Sequence, residues 1–165
     1  MTKPINSVGK YGRNIGASSL DLRPSEPYKI DTSKTYYLFD VTPMGAPRMT
    51  QSDKWKVNPN HTDPAKRQRD VITRYFRFKD ALRAQANVMN FELPDSFEAV
   101  YVIPMPDSWS EKKKKRMNGM PHQVKPDTDN ITKGIKDALR VQDSSIWYEC
   151  AQKRWGYAGC IIIYP

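Results

Sequence analysis

The segment from Lys125 to Leu139 constrains this chain more than any other. Ile131, Ile135, Ala138 and Leu139 recur at helical spacing, while Pro126 disfavours helix at the residue before it. The pattern predicts an amphipathic helix that opens just after Pro126. Asp127 and Asp129 fall at that junction, where extended geometry points residues i and i+2 the same way. Asp129, Lys133 and Asp137 then follow one another at i, i+4 and i+8 on the polar side. Two readings account for the acids. Either can cap the first turn by accepting from its orphan amides, leaving Asp129 and Lys133 as a surface pair worth roughly 0.2–0.5 kcal/mol. Alternatively, the two carboxylates reach one divalent cation that acts on phosphate.

Charge favours an anionic partner. Lys and Arg number 27 against 18 Asp and Glu, a formal net charge of +9, which suits nucleic acid; an inert basic surface is the plainer account. The 165 residues fit one ordinary domain with a tail, although only 38% are hydrophobic. No apolar run is long enough to predict a transmembrane helix, and the N-terminus has no apolar segment of the kind a secretory signal needs. Two cysteines (Cys150 and Cys160) and two histidines (His61 and His122) make no clustered zinc pattern. A reducing cytoplasm is the expected compartment, with no membrane partner and no organic cofactor.

Residues 1–33 are rich in Gly, Ser, Asn and Pro and read as a flexible basic arm, with one short ordered patch near Ile30. Its cations, Lys3, Lys10, Arg13 and Arg23, either brush a phosphate backbone or keep the arm soluble. The remaining residues, 34–165, form the single expected domain. Thr35–Val41 reads as the first strand, ended by Pro43, Gly45 and Pro47. Arg48, Lys54, Trp55 and Lys56 make a basic-aromatic loop suited to nucleic acid, though Trp55 by itself reads as packing on the core edge. Asp63-Pro64 predicts a helix start, with Val71, Tyr75, Phe78 and Leu82 carrying the helix to about Val88. Its many cations meet only Asp70 and Asp80 as opposing charges. Phe97–Ile103 reads as the second strand. Ser108-Trp109-Ser110-Glu111 has the pattern of a capping box and opens a short helix through Lys112, Lys113, Lys114, Lys115 and Arg116, ended by Asn118-Gly119. Those five cations serve either as a solvated helix face or as a salt-sensitive phosphate contact. Ile146–Lys153 and Gly159–Tyr164 read as a closing β-hairpin around Gly156, in which Cys150 and Cys160 would face each other as half-buried thiols.

One combination is specific. Lys125-Pro126-Asp127-x-Asp129-Asn130-x-x-Lys133, Asp137-Ala138-Leu139, Asp143-Ser144-x-Ile146 and Lys153 together resemble the RusA family of Holliday junction resolvases of phages and prophages. The Pro43–Met49 turn and the stretch from Pro104 through Trp109 to His122 match less sharply. The resemblance runs from Thr35 to Pro165. It implies that Asp127, Asp129 and Asp143 bind Mg²⁺, for which Mn²⁺ could substitute, and that Lys133 is the catalytic lysine near the scissile phosphate. Asp137 matches a recurrent aspartate with a structural part, and Lys153 matches a basic position in the closing strands. Lys112–Arg116, Lys125 and Lys153 would line the DNA. The family also implies a homodimer that nicks a four-way junction symmetrically, working in the bacterial host cytoplasm. The chain departs from the pattern at Gln142, a position that is often acidic, and in the short loop between Leu139 and Asp143.

The expected architecture is α/β (α+β): a small mixed sheet in the order β-α-β-α-β-β with helices packed on it. The expected activity is Mg²⁺-dependent hydrolysis of phosphodiesters in branched DNA. The rival reading is a non-catalytic phage accessory protein that holds branched DNA, and a third is a basic structural protein indifferent to branching.

Overall fold

The computed structural model describes residues 30–56, 58–140 and 144–165. Among the described residues four strands and three α-helices make an α+β fold. In chain order they are β1 (Tyr37–Phe39), α1 (Asp70–Met89), β2 (Ser96–Pro104), α2 (Glu111–Met117), α3 (Thr128–Leu139), β3 (Tyr148–Gly156) and β4 (Cys160–Tyr164). The sheet order is β1-β4-β2-β3. β2 runs parallel to β3 and antiparallel to β4, and β4 runs antiparallel to β1.

β2 takes a central place because both of its faces are apolar. Phe97, Ala99, Tyr101 and Ile103 join a core with Ile161 and Ile163, and that core is completed by Tyr75, Phe78, Leu82 and Ala86 of α1 and by Ile131, Ile135 and Ala138 of α3. The intervening Val100 and Val102 join Leu38, Cys160, Ile162 and Tyr164 in a second cluster, against which Ile30 and Tyr36 pack. The two sets alternate along β2, as the period of a strand requires. Both long helices lie against the first set. α3 comes close to its neighbours because residue 134 is glycine: a Cβ there would stand 3.1 Å from the Met44 carbonyl oxygen and 3.4 Å from the Tyr75 ring.

The closing β-hairpin is not formed. β3 and β4 are separated in the sheet by β2, to which each of them pairs. A strand with two apolar faces is stabilised most between two neighbours, and it displaces the contact expected from sequence proximity. Cys150 is therefore exposed and Cys160 buried, on strands that do not touch as the hairpin required.

The helix expected from Asp63 to Val88 is two elements. Asp63 caps a single 3-10 turn, Pro64–Lys66, by accepting from the Ala65 amide at 2.9 Å. Arg67 and Arg69 are then extended, and α1 begins at Asp70. Arg69 is held there by Asp53, whose buried carboxylate also accepts from the Thr50 amide and hydroxyl. That interaction folds the 48–56 loop against the start of α1. Trp55 is left 84% exposed rather than packed on the core edge. The six-element order also omits α2, which the capping pattern separately predicts. Ser110 is its N-cap and accepts from the Lys113 amide. The first strand is short, three residues of the seven expected. Of the arm read over residues 1–33, residues 1–29 lie outside the described residues.

Candidate active site

Three elements converge on the acidic junction. The turn after β1 packs on the first turn of α3, with the Ala46 amide donating to the Asn130 carbonyl at 3.0 Å. A Cβ at Gly45 would come within 3.2 Å of Pro126 Cβ, tighter than an ordinary contact, so glycine eases this approach. From the other side, residues 119–122 run along the outer edge of β3. The Gly119 amide donates to the Trp155 carbonyl at 2.8 Å, the Trp155 amide to the Met120 carbonyl at 2.9 Å, and the His122 amide to the Lys153 carbonyl at 3.0 Å. Lys153 itself reaches over this segment. Its Nζ donates to the carbonyls of Val124, at 2.8 Å, and Pro126, at 2.6 Å.

The segment so anchored ends at Asp127, which occupies the N-cap position of α3 with extended backbone (φ −71°, ψ 149°). Its side chain makes no capping hydrogen bond. Asp129 lies in the first helical turn and Lys133 one turn further on, and all three side chains are exposed. Among the described residues no ion pair joins Asp129 to Lys133, although other i,i+3 and i,i+4 pairs form on α1 and α2. Capping and surface pairing, the plainer account of these residues, therefore do not describe them. Two carboxylates and an ammonium are exposed without partners among the described residues, on backbone that is held from two sides.

Asp137, one turn beyond Lys133, is different. Its carboxylate accepts from the buried Tyr75 hydroxyl at 2.9 Å, fastening α3 to α1. Burial, and then this carboxylate, hold the Tyr75 hydroxyl well above its ordinary pKa. Asp143 lies outside the described residues. The residues flanking it are tied to the entry of β2. Arg140 donates to the Leu93 carbonyl, to Asp95 and to Ser145 Oγ, and the Trp147 amide donates to the Asp95 carbonyl at 2.9 Å. Among the described residues no group of three or more His, Cys, Asp or Glu gathers around a common point. The pair Asp127 and Asp129 suits Mg²⁺ nonetheless, because that ion takes oxygen ligands, retains several waters and is often held by one or two carboxylates plus substrate phosphate.

The run of cations on α2 divides by environment. Lys112, Lys115 and Arg116 are exposed, with no ion-pair partner among the described residues. Lys114 pairs with Glu111 at 3.6 Å, and Lys113 Nζ lies 3.8 Å from the centre of the Trp109 ring. Lys125 is exposed beside the acidic pair. Trp155 packs between Trp109, with ring centres 4.9 Å apart, and His122, at 4.0 Å, the rings tilted to one another. His122 is buried, its Nδ1 has no hydrogen-bond partner among the described residues, and its pKa is lowered, first by burial and then by the charge of Lys153. Residue spacing offers no signal for this cluster, because its members come from three separate segments. Among the described residues no helix is long and apolar enough to cross a membrane.

A family model described as endodeoxyribonuclease RusA matches residues 40–155. The chain belongs to the RusA endodeoxyribonuclease family. No curated protein and no solved structure matches it. The RusA match covers the 43–49 turn, the 119–127 segment, α3 and almost all of β3, which are the parts that build the acidic junction. As a RusA-family protein the chain is a nuclease, a hydrolase of DNA phosphodiester bonds. Asp127, Asp129 and Lys133, which the sequence singles out, lie within the matched residues.

Proposed function

We propose that this RusA-family protein is a Mg²⁺-dependent, structure-selective endonuclease that resolves four-way DNA junctions, acting as a homodimer in a bacterial cytoplasm. The observation that carries the reading is the exposed Asp127–Asp129 pair at the start of α3, without partners among the described residues and with Lys133 one turn away in a chain of net charge +9. Asp127 and Asp129, with Asp143 as the third carboxylate, would hold the ion, and Mn²⁺ could replace it. When bound, Mg²⁺ supplies charge neutralisation at the phosphate and a more acidic water.

The chain's own residues account for the rest. Asp127 and Asp129 offset the cation's charge and orient it toward the strand. Lys133 stands where it can stabilise negative charge developing on the phosphate. Lys112, Lys115, Arg116 and Lys125 draw in the backbone through interactions that weaken with salt. A C₂ dimer matches a junction with two equivalent strands to cut.

The test is Asp129→Asn assayed on a labelled synthetic junction with and without Mg²⁺. Cleavage should be abolished while binding in EDTA stays within about twofold of wild type. Cleavage at the wild-type rate would refute the mechanism. Junction binding by wild type with no metal-dependent product would support the non-catalytic junction-holding reading instead.

A further inference from the structure

The peptide group preceding Asp127 and the one preceding Asp129 are each anchored to a strand of the sheet. On one side Lys153 Nζ donates to the Pro126 carbonyl, which forms the peptide bond to Asp127, and to the Val124 carbonyl two residues earlier. On the other side the Thr132 hydroxyl donates to the Thr128 carbonyl at 3.0 Å and is bonded to the Tyr101 hydroxyl at 2.8 Å. Lys153 and Tyr101 are register partners on β3 and β2. The acidic junction thus rests on two side chains from paired mid-strand positions of β2 and β3.

We propose that Lys153 is a positioning residue: it fixes the peptide preceding Asp127 so that the Asp127 and Asp129 carboxylates are presented together to a divalent cation, and it does not act as a DNA phosphate contact. This rests on the metal-binding reading of the pair given above. An ammonium has three donors and no acceptor, and two of these donors are already engaged with backbone carbonyls. One donor is left, on an ammonium whose position is already set by the two carbonyls rather than by a DNA strand. The anchoring strand is itself paired along its length with β2, so the ammonium works from a rigid base.

The experiment uses the full chain, wild type, Lys153→Met and Lys153→Arg. Three readouts are taken: Mn²⁺ binding without DNA, amide hydrogen exchange, and junction binding in EDTA over a series of salt concentrations. With Lys153→Met, Mn²⁺ binding should weaken about 10–100-fold, the range for groups that orient metal ligands. Exchange should accelerate over residues 122–128 while α1 is unchanged, and junction affinity in EDTA should stay within about twofold of wild type with the same salt slope. Lys153→Arg, which can still donate to both carbonyls, should recover most of the Mn²⁺ affinity.

Unchanged or tighter Mn²⁺ binding in Lys153→Met would overturn the proposal, since loss of a nearby positive charge alone would tighten it. So would a weaker junction complex whose salt slope falls by about one, the signature of a lost phosphate contact. If wild type binds no Mn²⁺, the metal reading of the pair fails, and the exchange rates over 122–128 decide the anchoring role separately.

Discussion

Removing Asp137 tests whether its carboxylate has a structural part, distinct from the catalytic one proposed for Asp129. The Tyr75 hydroxyl is on a side chain only 2% exposed, and Asp137 is its hydrogen-bond partner at 2.9 Å. A hydrogen bond to a charged group contributes about 1.5–3 kcal/mol. The Asp137 side is exposed to water, which places the expected loss toward the low end, about 1–2 kcal/mol for Asp137→Ala. For a domain of this size each kcal/mol moves Tm by about 2–4 °C, so a fall of about 2–8 °C is expected. Asp137→Asn keeps an acceptor oxygen for Tyr75 and should lose less than half as much. In a double-mutant cycle with Tyr75→Phe, measured by urea unfolding, most of the loss should appear as coupling between the two residues. Junction cleavage by Asp137→Asn should stay within about threefold of wild type. Near-zero coupling, or a loss of cleavage in Asp137→Asn as deep as that of Asp129→Asn, would refute the assignment.

Other substitutions test the rest of the architecture. Ile135 is fully buried between α3 and the sheet, so Ile135→Ala should cost about 2–5 kcal/mol in urea unfolding. His122 has a lowered folded-state pKa, so the unfolded chain binds the proton more readily. Its contribution to stability is complete above about pH 6.5, the ordinary imidazole value, and declines as pH falls below it. His122→Phe should flatten the fall in Tm between about pH 6.5 and 5. Neutralising Lys112, Lys115 and Arg116 singly should weaken junction binding at all sequences and reduce the salt slope by about one each. Lys114→Ala should do less, because Lys114 is paired with Glu111 and only 16% of its side chain is exposed.

Much of the site is legible in residue order because its parts are local. Pro126, the two acids and the apolar spacing of Ile131, Ile135 and Ala138 all fall within fourteen residues, and backbone geometry alone places the acids where a loop becomes a helix. The structure adds what spacing leaves open. It shows that Asp127 at the N-cap makes no side-chain capping bond and that, among the described residues, Asp129 and Lys133 form no ion pair. Trp55 shows the limit of this kind of reading. A large aromatic after a strand suggests core, but the Asp53–Arg69 interaction folds its loop so that the ring is left in water.

Residue order determined the family, through a set of motifs, and the amphipathic helix that follows Pro126, since these depend on which residues are present and on spacings shorter than a few turns. Tertiary structure alone decided that β2 lies between β3 and β4, so that the last two strands are not a hairpin. It alone turned Lys153 onto the carbonyls before Asp127 and Asp137 onto Tyr75. Such contacts join residues tens of positions apart. They exist because a strand with two apolar faces is buried best in the interior of the sheet, and the segments packed around it must then find their polar partners across the fold.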